Sequence, residues 1–184
     1  MKYQFQISLT EDDYLQFNKF HLFRSPYGRR NFYRGATVAG VIFLVIAFLP
    51  ALVKGFTMRT VAEAIPVLLF ALLLLCYKPY FMLFLKAHIK WQKKNGKVAF
   101  SPLSTMEFFE DHFVESTEEN RTEQKYAVVE RISVVENRYV YLHTNSIMAY
   151  ILPFACFESK EQYQEFLEFL KTNVSSNIDV YEKI

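Results

Sequence analysis

The sequence predicts a hairpin of two membrane-spanning helices joined to an α+β domain, an antiparallel β-barrel or sandwich plugged by a C-terminal helix. Three observations carry this expectation. Residues 35–53 and 64–85 are apolar runs of membrane-crossing length. Residues 105–152 hold short alternating segments separated by turn residues. A capped amphipathic helix follows at residue 159.

The first run, Gly35 to Val53, has no charged residue in 19 positions; the second, Ala64 to Leu85, covers 22 and is interrupted by Lys78. At 1.5 Å rise per residue they reach roughly 28 and 33 Å, against a hydrocarbon core of about 30 Å. The alternative, two buried core helices, would need protein around every side of both, more than a chain of 184 residues supplies. Arg24, Arg29, Arg30 and Arg34 precede the first run, and Lys86, Lys90, Lys93, Lys94 and Lys97 follow the second. The segment between them carries only Lys54 and Arg59. Short-loop Lys/Arg bias sets orientation, so the expectation is a multi-pass protein of the plasma membrane with both termini cytoplasmic.

Two features of the runs carry alternative readings. Gly35/Ala39 and Ala36/Gly40 are small residues four apart, which let helices approach closely. They suit either a homodimer face or the packing of the first span on the second, and the latter requires no partner. Lys78 is an intramembrane charge and so a candidate polar contact to another membrane protein. It lies near the cytoplasmic end, where its stem can also snorkel to the headgroups. Pro79 then allows a kink that leaves Tyr80 to Trp91 as an interfacial continuation with an aromatic anchor.

Charge divides the chain. Residues 1–100 hold 14 Lys+Arg and 4 Asp+Glu, a net of +10; residues 101–184 hold 7 and 15, a net of −8, and together these give the chain's +2. An acidic domain held under an anionic leaflet is repelled from it, and it disfavours nucleic acid and phosphoinositide headgroups, which need basic pockets. The two cysteines, Cys76 in the second run and Cys156 in the C-terminal half, are expected as free thiols. The first apolar run begins too late and is too long for a cleavable signal peptide.

Three regions follow in order: residues 1–34, a strand and an amphipathic helix; residues 35–97, the hairpin with its basic tail; and residues 98–184, the β-rich domain. Tyr3 to Leu9 alternates large apolar and polar residues, the period of a half-buried strand. Thr10 can cap a helix over 11–24 whose first turn holds Glu11, Asp12 and Asp13. Ser25-Pro26-Tyr27-Gly28 breaks it before the first span. Past Gly96, strands are expected at 105–109, 113–117, 121–126, 128–135, 139–143 and 147–152, with hairpin turns between them. Ser159 and Gln162 form a capping box, after which Tyr163, Phe166, Leu167 and Leu170 recur at helical spacing. The last ten residues show no pattern and are read as loose. The strand at 3–9 has no local partner, and a lone strand is unstable, so it is expected to cross back and join the C-terminal sheet.

Leu9-Thr10-Glu11-Asp12-Asp13-Tyr14-Leu15-Gln16-Phe17-Asn18 with His21, the two apolar runs, Phe108-Phe109-Glu110-Asp111, Ile151-Leu152-Pro153 and Phe157-Glu158-Ser159 together resemble the YcxB-like membrane protein family. The resemblance implies a two-span hairpin tethering a C-terminal domain similar to bacterial pleckstrin-homology-like (PH-like) folds. It departs at Tyr126-Ala127-Val128, where the family has a tryptophan-centred strand. It carries over no catalytic residue.

Catalytic patterns are lacking in the sequence. His21, His88, His112 and His143 form no metal-spaced pair with one another or with a cysteine. Five glycines make no phosphate loop, and no nucleophile elbow occurs. Glu118, Glu119 and Glu123 read as solvated turn charges. The expectation is therefore a non-enzymatic protein without cofactors, whose partners are the lipid bilayer and an unidentified protein, with a homodimer as a further option and no nucleic acid. The interaction surface is expected at a sheet edge or beside the last helix. The rival reading is an accessory or regulatory subunit of a membrane transporter or envelope complex, acting through the hairpin.

Overall fold

The structure is a computed structural model that describes every residue except Cys76, 97–99, Ile147, 175–176, 183 and 184, and only the backbone of 73–75 and 77–79. The expected roles of Cys76, Lys97 and the Lys78 side chain therefore lie outside the described residues. The chain forms two units: Met1–His21 with Gln92–Ile184, and the inserted segment Leu22–Trp91.

In the first unit, the alternating N-terminal stretch does form a strand, β1 (Tyr3–Ser8). It pairs antiparallel with β2 (Leu103–Phe108), setting Tyr3 opposite Phe108 and Ser8 opposite Leu103. Two hairpins continue that sheet through β3 (His112–Ser116) and β4 (Arg121–Lys125), giving the order β1-β2-β3-β4. A 3₁₀ turn at Tyr126–Val128 delays the next strand, so β5 covers Arg131–Val135, not 128–135. Asn137, at φ 54°, takes the left-handed turn position that asparagine tolerates and leads into β6 (Tyr139–His143). β7 (Ala149–Pro153) completes the antiparallel run.

Two expectations are corrected here. Of the expected barrel or sandwich, the barrel is excluded: the strands form two separate four-stranded sheets, the second ordered β7-β6-β5-β8. The supposedly loose C-terminus supplies β8 (Ile178–Tyr181), which lies parallel to β5 with Ile178 opposite Ile132. A four-residue strand with Val180 67% exposed carries too little alternation to stand out in the sequence.

Both sheets face one core. Phe5, Ile7, Met106, Phe108 and Phe113 come from the first sheet, and Ile132, Val134, Val140, Leu142 and Leu152 from the second. The C-terminal helix, named α5 for its place in the chain (Lys160–Asn173), inserts Tyr163, Phe166, Phe169 and Leu170 between them. Its cap is the one expected: Gln162 N donates to Ser159 Oγ at 3.1 Å, while Gln162 Oε1 accepts from Glu158 N at 2.8 Å. Phe166 lies edge-on to Tyr3, Phe5 and Phe108 at 4.8–5.4 Å, so the N-terminal strand and the last helix share one aromatic cluster.

The helix after Leu9 is α1 (Glu11–Phe23). Thr10 Oγ1 accepts from Asp13 N at 3.2 Å, and the Asp13 carboxylate accepts from Thr10 N at 2.8 Å. Its apolar face does not simply lead to a membrane. Phe17 and Phe20 pack with Val135, Tyr139, Tyr141, Ile151 and Tyr181 on the outer face of the second sheet. All five residues of β6 are consequently buried, Val140 and Leu142 inward and Tyr139, Tyr141 and His143 beneath α1.

In the second unit, α1 breaks at Arg24-Ser25 and α2 begins at Pro26 and runs to Lys54, with Ser25 Oγ accepting from Gly28 N. Proline suits this first position because its missing N–H would be unpaired there anyway. The second apolar run, expected as one helix over 64–85, falls in α3 (Met58–Leu75) and α4 (Tyr77–Lys94), which flank Cys76, a residue outside those described. Among the described residues one helix, α2, is long and apolar enough to cross a membrane by length and composition.

Candidate functional site

The described residues contain no group of three His, Cys, Asp or Glu side chains placed to hold a metal. Cys156 is a free, half-buried thiol that burial pushes up to about 12, so it is not a nucleophile near neutral pH. Interest falls on three surfaces or clusters built by the fold.

The first is the junction beneath α1. His143 is 1% exposed, and its Nε2 lies 3.2 Å from Ser133 Oγ. His21, near the end of α1, is also buried, and Phe17 is ringed by His21, Tyr141 and His143 at 5.3–6.3 Å. Burial first, then the Arg131 charge and His21, hold His143 down to about 3; burial and Arg131 lower His21 as well. His143 is therefore neutral near pH 7, and burial biases His21 the same way. Sequence reading saw these histidines only as unpaired in a metal sense, since nothing local signals that residues 21 and 143 share an interface.

The second is the small-residue face of α2. Gly35 is exposed and Ala36, Ala39 and Gly40 are half-buried. With Phe43 and Leu68 they line an open apolar groove of about 590 Å³ between α2 and α3. A methyl group added at Gly35 or Gly40 would meet nothing within 4 Å. Among the described residues of the pair, Ala47, Ala51, Thr60 and Ala64 are buried, and Phe43 meets Phe70 edge-on at 5.2 Å.

The third is the rim of the β-domain. A groove of about 710 Å³ runs between the start of β1 and α5, lined by Lys2, Tyr3, Glu165, Glu168 and Phe169. Lys2 Nζ sits 5.1 Å from the centre of the Phe169 ring. β4 forms one edge of its sheet with Arg121, Glu123 and Lys125 exposed. Of the basic residues, Arg29, Arg30, Arg34, Lys86, Lys90 and Lys94 are all exposed; Lys93 pairs with Glu11 at 2.6 Å, tying the end of α4 to the start of α1.

Such a layout is a β-sheet domain whose sequence is interrupted by a helical insertion. Residues 108–170, from the end of β2 into α5, match a family model described as YcxB-like protein, and this stretch of the chain is similar to that family. No curated protein and no solved structure matches the chain.

Proposed function

We propose that the chain is a non-enzymatic integral membrane protein that presents an acidic, PH-like domain for protein interaction on the cytoplasmic side. α2 and α3 cross the plasma membrane, and both termini are cytoplasmic. The observation that carries the reading is the exposed apolar surface of α2: Val38, Val41, Leu52 and Val53 are 55–75% exposed on a helix of 29 residues. Water would not tolerate such a surface, whereas lipid does. α3 supplies the return span. The test is alkaline extraction of membranes combined with reporter fusions at each terminus. Release by alkali, or a terminus reporting from the outer side, overturns the reading.

The domain's net charge of −8 over residues 101–184 turns it toward proteins rather than anionic lipid. The groove beside α5 holds Lys2 and Lys171 as well as Glu165 and Glu168, with Lys171 paired to Glu168, and offers mixed charge and the Phe169 ring to a protein partner. Crosslinking the intact protein in membranes and recovering its partners, with and without Glu165→Lys and Glu168→Lys, tests this. The groove over Gly35 and Gly40 supports a second reading, an accessory subunit packed against a larger membrane protein or a second copy of this chain. Gly40→Leu fills that groove; loss of partner recovery with Gly40→Leu, but not with the glutamate variants, favours it.

A further inference from the structure

α4 carries two unlike faces. Phe81, Met82, Leu85 and Ile89 are packed or half-packed, with Ile89 buried and Phe81 meeting Phe23 at 6.4 Å. On the other side Tyr80, Leu83, Phe84, Ala87, His88 and Trp91 recur at i, i+3, i+4, i+7, i+8 and i+11, one stripe of a 3.6-residue helix. The stripe is exposed: Tyr80 56%, Leu83 64%, Phe84 68% and Trp91 60%. It is also ordered. His88 stacks at 6.1 Å on Phe84 and at 6.0 Å on Trp91, nearly parallel to both. Lys86 and Lys90, both exposed, project together along one flank of it.

We propose that α4 is not part of a span but lies in the plane of the cytoplasmic membrane surface, its Tyr80–Trp91 stripe sunk to the acyl boundary and Lys86 and Lys90 on anionic headgroups. This rests on the membrane reading above. A helix with one apolar aromatic face, a cationic flank and low overall hydropathy is the kind that lies in an interface. Trp and Tyr prefer that depth because one end of each ring is apolar and the other polar. Lys86, Lys90 and Lys94 within residues 84–94 make that half of α4 a poor span and a good match to an anionic leaflet. Charge complementarity therefore selects anionic lipid over a second protein as the occupant of this face.

Trp91 is the only tryptophan in the chain, so it reports on α4 without labelling. The full chain is reconstituted into vesicles of phosphatidylcholine alone, or with about one-third phosphatidylglycerol, and Trp91 quenching is measured with aqueous acrylamide and with lipids brominated at different depths. Expected are a blue-shifted emission, protection from acrylamide and quenching by the shallow bromines, all stronger with phosphatidylglycerol and weakened by salt. Lys86→Gln and Lys90→Gln should each lower the docked-to-undocked ratio by about fivefold in the anionic vesicles only. Phe84→Ser should expose Trp91 in both. Free acrylamide access in a chain that resists alkaline extraction overturns this proposal alone. Maximal quenching by bromines at the bilayer centre would make α4 a span, and protection that depends on protein density would make a second copy the occupant; either overturns it. Release of the chain by alkali overturns the membrane reading itself.

Discussion

The Tyr139 hydroxyl donates a 2.7 Å hydrogen bond to Asp13 Oδ1 across 126 residues of sequence, fastening the first turn of α1 to β6. Burial acts against the Asp13 charge, but the hydrogen bonds from Thr10 and Tyr139 outweigh it and hold its carboxyl below the ordinary range. Tyr139→Phe should cost about 1–2 kcal/mol, the usual worth of a partly exposed hydrogen bond to a charge. Denaturation in detergent, in a double-mutant cycle with Asp13→Ala, measures it. Additive losses would mean that the two groups are not coupled.

The buried histidines make the same junction sensitive to acid. His143 titrates near 3 in the folded protein against about 6.5 when exposed, so below pH 6.5 the unfolded chain takes up a proton that the folded one refuses. Through this one group stability is full above pH 6.5, falls by about 1.4 kcal/mol for each unit between pH 6.5 and about 3, and levels off below that. The groups facing it are Arg131 and Ser133 on β5 and His21 on α1, with no carboxylate among those that shift it. His143→Leu should flatten the stability profile between pH 5 and 6.5, leaving the His21 contribution and, with the opposite slope, that of Glu115, whose carboxyl burial raises. An unchanged slope in that variant would count against this account.

Phe20 is 0% exposed and packs on Tyr141 at 5.0 Å and edge-on to Tyr181 at 4.9 Å. Phe20→Ala should destabilise the β-domain by about 3–5 kcal/mol, the range for a buried aromatic lost from a core. Phe23, two residues beyond the domain unit, offers a comparison at the start of the insertion. Its truncation should leave the domain's own unfolding midpoint nearly unchanged.

Two truncations probe the ends of the chain. Removing residues 1–9 deletes Phe5 and Ile7 from the core and bares the edge of β2. The remaining domain should aggregate or unfold at a lower midpoint, as read by light scattering and near-ultraviolet dichroism. Ending the chain at residue 176 removes β8 and bares β5, with a smaller loss because Val180 contributes little burial. A domain equally stable without β8 would mean that its pairing with β5 contributes little.

How much was legible follows from what each signal depends on. The caps at Thr10 and Ser159, the alternation in 3–9 and 139–143 and the apolar span of 35–53 are local properties, and each element formed where its residues called for it. Phe169 was missed in α5 because a 3.6-residue template admits either flank of the stripe, and only Tyr3 and Tyr126 against it show which flank is inside.

The sequence by itself determined the kind and rough extent of most elements, the division of charge, and that the first strand needed a partner elsewhere. Only the tertiary structure decided which partner. Any strand edge offers the same N–H and C=O groups, so pairing is chosen by the apolar area that a register buries rather than by the edge itself. That choice set β1 on β2, β8 parallel to β5, two sheets in place of a closed barrel, and α1 over His143. The alternation of β6 therefore predicted one buried face, and the helix that buried the other was written more than a hundred residues earlier in the chain.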